Sequence, residues 1–302
     1  MTLTLPYSGL CLVHKPAGPS SFGMVREFSR EAREAGLKKH PVGHGGTLDP
    51  FAEGLLLILA GQATRLMELM HPLPKTYVAE IAWGAETDTG DHLGVVVREG
   101  DATALDPAGL DAAITPFLGW RDQVPPATSA KKIGGESAYK KAHRGEEVVL
   151  PPSRVFLHAA RWLRHDLPRA STLELTVKGG YYVRSLAREL GEALGCGAHL
   201  AGLHRTAIGP WADPGEGGRD WIRGEALVPW CPSRVLDDPE AARLLQGRPV
   251  PMGEIVSAAW PMPAGFPRPE TPIRGLHEGR LVALLKEKEG ALWTSANLRG
   301  GL

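Results

Sequence analysis

The carboxylate with the most distinctive surroundings is Asp49, which lies in segment 43–50, GHGGTLDP. Its three glycines allow backbone angles and close approaches to a ligand that other residues do not. Pro50 restricts the preceding residue to extended conformations, which helps to hold the Asp49 side chain in one direction. A carboxylate that is ionised at neutral pH can act as a nucleophile or a base. An aspartate in a Gly/Pro loop is also a common turn residue, so the spacing alone leaves both roles open.

Two further residues could support chemistry at a carboxylate. Tyr77 lies near the start of an alternating segment, which predicts a strand. Arg184 and Arg188 are four residues apart on a predicted helix and project together from it. Tyr77 could equally be a core tyrosine, and Arg184 a surface arginine paired with Glu192. The pattern by itself leaves these alternatives open.

The elements that must position these residues mix helices and strands without a βαβ repeat, which predicts an α+β fold. The first predicted helix starts at Ser20 or Ser21, carries Phe22, Val25, Phe28 and Ala32 on one face, and ends near Gly36. The other predicted elements are a long loop over 37–54, helices over 63–70, 183–194 and 239–246, and strands over 55–60, 75–83, 172–178 and 280–286. A change in composition places a domain boundary near residue 246, which divides the chain into 1–245 and 246–302.

The charges balance, with 34 Lys+Arg against 34 Asp+Glu, which argues mildly against a nucleic-acid partner. Two stretches, 131–144 and 178–205, are nevertheless locally basic and could form a phosphate-binding face. An ordinary solvated surface is the alternative. No apolar run approaches the roughly 20 residues of a membrane helix, and the N-terminus lacks signal-peptide features, so we expect a cytoplasmic protein. The cysteines, Cys11, Cys196 and Cys231, suggest neither a disulfide framework nor a zinc knuckle.

Five motifs resemble, in the same order, those of the bacterial tRNA pseudouridine synthase B (TruB) family: HKPAGPSS, HGGTLDP, AEGLLLILAGQATR, KTYVAEIAWGAETDTGD and GGYYVRSLARELGEALGCGAHLAGLHRT. The resemblance covers roughly residues 10–210. It implies a pseudouridine synthase catalytic fold with a central mixed or antiparallel sheet over 1–245. It also implies a small β-rich PUA-like RNA-binding domain over 246–302.

The resemblance implies a specific reaction on tRNA. The substrate is uridine 55 of the T-loop, which is flipped out, cleaved at its N-glycosidic bond, rotated and rejoined through carbon. No metal or cofactor is expected, and neither is a membrane or an obligate protein partner. We expect a monomer, because bent tRNA has no two-fold symmetry. A tRNA-folding role could accompany the modification.

The resemblance also assigns residues. Asp49 is the essential aspartate, Tyr77 packs on the target base, and Arg184 pairs with Asp49. Four further residues are expected to bind the substrate: His44 fills space left in the rearranged loop, Leu203 lines the uracil pocket, and Lys15 and Tyr182 lie in the active-site region. The chain departs from the family pattern at Thr128, Tyr181 and His204, where tyrosine, threonine and arginine are common.

Two other classes of protein compete with this interpretation. Asp88-Thr89-Gly90 is the triplet of aspartic proteases, but that chemistry needs a second such aspartate, and the sequence holds no second DTG or DSG. A non-catalytic RNA-binding or RNA-folding protein would share the basic stretches without needing Asp49. The GTLDP segment together with Tyr77 and Arg184 favours an active enzyme.

Overall fold

A computed structural model describes residues 8–129, 131–133, 136–137, 144, 146 and 150–302. Lys140 and Lys141 of the predicted basic stretch lie outside the described residues. The helices are α1 (Ser21–Glu34), α2 (Met67–Met70), α3 (Pro107–Ile114), α4 (Val183–Ala193) and α5 (Asp238–Leu245). The strands are β1 (Gly9–Lys15), β2 (Val42–His44), β3 (Glu53–Ala60), β4 (Lys75–Trp83), β5 (Ala85–Thr87), β6 (Val96–Glu99), β7 (Gly119–Gln123), β8 (Lys132–Ile133), β9 (Glu136–Ser137), β10 (Ser153–Asp166), β11 (Ala170–Val177), β12 (Ala198–Ile208), β13 (Trp211–Ala212), β14 (Arg219–Ile222), β15 (Ser233–Val235), β16 (Val250–Pro251), β17 (Ile273–His277), β18 (Arg280–Lys288) and β19 (Ala291–Asn297).

Ten of the described strands form one large sheet in the order β14-β1-β3-β12-β4-β11-β10-β7, with β13 beside β12 and β2 beside β3. The contact between β3 and β12 is parallel and the other pairings are antiparallel. The mixed sheet of an α+β fold is therefore confirmed. Gly54 permits the parallel contact, because a Cβ there would lie 2.4 Å from the Arg205 carbonyl oxygen and the residue has a φ of +105°.

A second sheet of five strands has the order β15-β17-β18-β19-β16, which confirms a β-rich C-terminal region. Strand β15 precedes residue 246, and Leu244 of α5 packs against Leu285 and Leu292 of this sheet. The second sheet thus also uses chain from before the predicted boundary. The boundary itself stays a prediction.

The two sheets share a hydrophobic core. Leu10, Leu57 and Trp211 of the large sheet belong to the same buried cluster as Leu281 and Leu284 of the small one. The C-terminal region is therefore packed against the large sheet and is not tethered by a linker alone. Among the described residues, no helix is long and apolar enough to cross a membrane.

Helix α1 begins where the sequence predicts, since the Ser20 hydroxyl accepts a hydrogen bond from the Gly23 amide at 3.0 Å. The expectation that Phe22 lies on the buried face is wrong, because its side chain is 62% exposed. Successive i, i+3 steps each drift by about 60° around a helix. Phe22 is consequently turned away from the stripe around Phe28, and Met24 takes its place in the core.

The predicted strands 55–60, 75–83 and 172–178 correspond to β3, β4 and β11. The predicted loop over 37–54 is wrong in part, because it contains β2 and the start of β3. Strand β2 pairs with β3 from Val42 to His44. Short glycine-rich strands of this kind carry no apolar alternation from which to predict them.

Candidate active site

Asp49 lies between β2 and β3 and is held by an arginine from α4. The Arg184 Nε atom donates to Asp49 Oδ2 at 3.0 Å, and Nη2 donates to Asp49 Oδ1 at 2.9 Å. The Arg184 side chain is only 4% exposed, whereas that of Asp49 is 31% exposed. A bidentate pair fixes both the position and the plane of a carboxylate. Arg184 therefore fixes the orientation of the Asp49 carboxylate from the protein interior, and the carboxylate remains accessible on its other side.

Arg184 is itself held by three further groups. Its Nη1 atom donates to the Thr89 carbonyl at 2.9 Å and to the Thr128 hydroxyl at 2.7 Å, and it lies 3.6 Å from Asp91 Oδ2. Thr128 is one of the departures from the family pattern, and its hydroxyl oxygen accepts a hydrogen bond from the guanidinium. A buried charge with this many partners has little freedom to leave its place.

The loop that carries Asp49 is anchored by a residue that the sequence analysis did not single out. Arg205 of β12 is fully buried, and its guanidinium donates to the carbonyls of Leu55, Thr47 and Gly46 at 2.7, 3.1 and 3.1 Å. It thus binds the backbone on the approach to Asp49. The residue lies in the quoted GLHRT motif, but no periodicity distinguishes a buried arginine from an exposed one.

Asp49 opens into a cavity of about 650 Å³. The same cavity is lined by Tyr77, Leu203, Tyr182 and Arg184. Together with Asp49, these are five of the seven predicted site residues. Tyr77 and Leu203 lie on the neighbouring strands β4 and β12 and are almost fully buried. Such a cavity has an apolar wall, an aromatic ring and a carboxylate, which suits a planar base attached to a ribose.

Lys15 and His44 lie beside the loop that carries Asp49 and do not line the cavity. The Lys15 ammonium donates to the Pro50 carbonyl at 3.3 Å and to the Pro16 carbonyl at 2.8 Å, so it binds the loop just after Asp49. Burial, reinforced by Arg205, lowers the pKa of Lys15 to about 8, against the opposite effect of the Asp49 charge. The Lys15 side chain is fully buried.

His44 lies in β2 opposite Ile58 of β3. Burial, followed by the charges of Arg205 and His71, lowers its pKa. Its Nδ1 atom is buried and has no hydrogen-bond partner among the residues that the structure describes. The role that the resemblance assigns to His44 stays a prediction.

Tyr182 precedes α4 and helps to set the position of Arg184. Its amide donates to Gln123 Oε1 at 2.9 Å, and its carbonyl accepts from Gln123 Nε2 at 3.1 Å. Gln123 is buried at the end of β7, so it fixes the start of α4 relative to the sheet. Burial raises the pKa of the Tyr182 phenol. The sequence gives no signal for Gln123, since a lone glutamine carries no motif.

Lys75 is a second buried cation at the cavity that sequence analysis missed. Its ammonium donates to the carbonyls of His71 and Leu73 at 3.0 and 3.3 Å, which closes the turn before β4. Burial, followed by the charges of Arg205 and Lys178, lowers its pKa to about 7. It lies two residues before Tyr77 in the KTY motif, so it faces the same side of the strand.

The structure also places Tyr181 and the Asp88-Thr89-Gly90 triplet. Tyr181 lines the cavity, and burial raises the pKa of its phenol. The Asp88-Thr89-Gly90 triplet forms no carboxylate dyad, because Asp88 Oδ1 accepts from the Val95 amide at 2.9 Å and the Thr89 carbonyl accepts from Arg184. The protease alternative therefore has no site in the described part of the chain.

The fold matches that of solved proteins. One chain of a Cbf5–Nop10–Gar1 complex superposes with a TM-score of 0.66 at 23% identity, covering 96% of this chain and 84% of that chain. The match shows that this chain shares the fold of that chain.

The family follows from sequence comparison. The family model for the N-terminal domain of TruB family pseudouridylate synthases matches residues 33–183, and that for the tRNA pseudouridylate synthase B C-terminal domain matches 184–216. A tRNA pseudouridine synthase B from Cupriavidus metallidurans is 38% identical, covering 94% of this chain and 92% of the relative. One from Xanthomonas campestris pv. campestris is 43% identical, covering 80% and 73%. The chain belongs to the TruB family.

Proposed function

We propose that this protein converts uridine 55 in the T-loop of tRNA to pseudouridine. The observation that carries the proposal is the Asp49 carboxylate, which is open to the cavity and held through both oxygens by Arg184. The relatives named tRNA pseudouridine synthase B support tRNA as the substrate.

Asp49 acts on the ribose of the flipped uridine while Tyr77 packs on the uracil and Leu203 closes the pocket. The N1–C1′ bond breaks, the uracil rotates in the cavity, and a C5–C1′ bond forms. C5 loses a proton and N1 gains one, so the reaction is an isomerisation that needs neither an oxidant nor water. Extruding the base costs a few kcal/mol, and stacking on an aromatic ring returns about 1–3 kcal/mol.

Besides the buried Arg184 and Lys75, the cavity is lined by three cations that suit the backbone of a folded RNA: Lys131, Arg154 and Lys178. Phosphate contacts position a nucleic acid without reading its sequence. These residues would hold the T-arm around the flipped base. We propose further that the protein works as a monomer in the cytoplasm, since one bent tRNA offers no two-fold axis for a dimer.

The experiment uses unmodified tRNA transcript labelled with tritium at uracil C5, together with a transcript in which residue 55 is cytidine. We expect tritium release from the first transcript, equivalent to one uridine per tRNA, and none from the second. Release from both transcripts would overturn the assignment to position 55, and release from neither would overturn the proposed activity.

A further inference from the structure

Two histidines and an aspartate meet on one face of the large sheet, opposite to the face that carries the Asp49 loop. His14 of β1 directly precedes Lys15, and His204 of β12 directly precedes Arg205. Lys15 and Arg205 hold the loop that carries Asp49. Because successive side chains of a strand point to opposite faces, His14 and His204 lie on the other side. Asp213, in the loop that follows β13, lies between them.

The ligand atoms converge on one point. His14 Nδ1 and His204 Nε2 each lie 2.8 Å from the same oxygen of Asp213, Oδ2, and the three groups offer atoms that all lie within 4.8 Å of one another. Asp213 is 8% exposed and His14 is 9% exposed. The second oxygen, Asp213 Oδ1, is buried and accepts no hydrogen bond from any residue in the described ranges. A buried carboxylate oxygen normally has a partner.

The site is also preorganised. The Asp213 amide donates to the Thr206 carbonyl at 2.8 Å, and the His14 amide donates to the Gly218 carbonyl at 3.2 Å. Both ends of the loop are thus fixed to the strands that carry the histidines. His204 is 37% exposed, which leaves a path from solvent to the site.

We propose that His14, Asp213 and His204 form a Zn²⁺ site with a fourth position open to water. Two imidazoles and a carboxylate are ligands that Zn²⁺ accepts, and three protein ligands plus water is a known arrangement for this ion. Zn–N and Zn–O bonds of about 2.1 Å put tetrahedral ligand atoms about 3.4 Å apart, so each histidine nitrogen moves about 0.6 Å further from Asp213 Oδ2 on binding. The half-exposed His204 can make this adjustment. The ion would cross-link β1, β12 and the loop after β13.

The test compares metal-stripped, tag-free wild type with His204→Arg and His277→Ala. Arginine is common at position 204 in the family and can still pair with Asp213, but it cannot bind the ion. His277 is the matched control, because it makes an equal 2.8 Å contact with one aspartate, Asp238, and has no third ligand in the described part of the chain. Calorimetric titration with Zn²⁺ and thermal unfolding are the measurements.

We expect wild type and His277→Ala to bind one Zn²⁺ per chain with a rise in Tm, and His204→Arg to lose both effects. Equal Zn²⁺ binding by wild type and His204→Arg, or no binding by wild type, would overturn the proposal. Substitution with Co²⁺ provides a readout on wild type alone. Intense visible absorption, typical of four-coordinate Co²⁺, supports the site, whereas the weak spectrum of six-coordinate Co²⁺ contradicts it.

Discussion

At the scale of single residues, the proposed reaction depends on how Arg184 positions Asp49. The guanidinium contacts both carboxylate oxygens and is fixed from behind by Thr89 and Thr128. Lysine carries the same charge but offers no planar fork. The geometry, more than the charge, is therefore what a conservative substitution would remove.

Arg184→Lys is expected to lower turnover about a hundredfold, which is the effect of misplacing a reacting group by about 1 Å. Binding of tRNA should change little, because Arg184 is buried and faces the carboxylate. Single-turnover kinetics and filter binding measure the two quantities. Arg188→Lys, one turn further along α4, is the matched control. A loss of binding equal to the loss of rate would contradict the role of Arg184 in orienting Asp49.

The site residues that the sequence could predict are those to which the family resemblance assigns a role. The resemblance assigned Asp49, Tyr77, Arg184, Tyr182 and Leu203, and the structure places all five around one cavity. The buried polar residues Arg205, Lys75 and Gln123 could not be predicted in the same way. Their partners are backbone carbonyls and amides far along the chain, which no local pattern encodes.

At the scale of secondary-structure elements, β12 holds the loop that carries Asp49 through Arg205. Its guanidinium donates to the carbonyls of Gly46 and Thr47 in the loop and of Leu55 in β3. Strands β4 and β11 and helix α4 were predictable because their apolar residues follow the period of the element. Strand β3 was predictable from its continuous apolar run, which suits a strand buried on both faces. The drift of Phe22 and the shortness of β2 show where periodicity fails.

Arg205→Lys is expected to lower the free energy of unfolding by about 1–3 kcal/mol, since a point-like ammonium leaves at least one of the three carbonyls unpaired. Turnover should fall with it, because the Asp49 loop loses its anchor. Urea unfolding and the tritium assay measure these effects. Arg161→Lys, which alters an exposed pair with Glu174, is the control. Stability and turnover equal to those of wild type would show that the three hydrogen bonds do not anchor the loop.

At the scale of the whole molecule, the two sheets are one packed body. Leu281 and Leu284 of the small sheet share a core with Leu10 and Trp211 of the large one, and β15 precedes the predicted boundary. Truncation after Gln246 would therefore expose this core and could not isolate a contribution to RNA binding. The composition shift near residue 246 signals a change of surface chemistry, and it carries no information about shared packing.

Zero net charge is compatible with the proposed RNA binding because Lys131, Arg154 and Lys178 all line the cavity. Lys178→Met is expected to weaken tRNA binding and to reduce the slope of log K against log salt by about 1, as for loss of one phosphate contact. Binding measured over a range of salt concentrations tests this. Lys38→Met, which removes an exposed lysine that does not line the cavity, should leave the slope unchanged. Equal slopes for wild type and Lys178→Met would place the RNA backbone elsewhere.

The most direct measurement is tritium release from uracil C5 of unmodified tRNA by wild type, Asp49→Asn and Asp88→Asn. Asp88 is the matched control, because asparagine can still accept from the Val95 amide. We predict release by wild type and Asp88→Asn, equivalent to one uridine per tRNA, and none by Asp49→Asn, which still binds tRNA. Equal release by Asp49→Asn and wild type would contradict the central claim that Asp49 carries the chemistry.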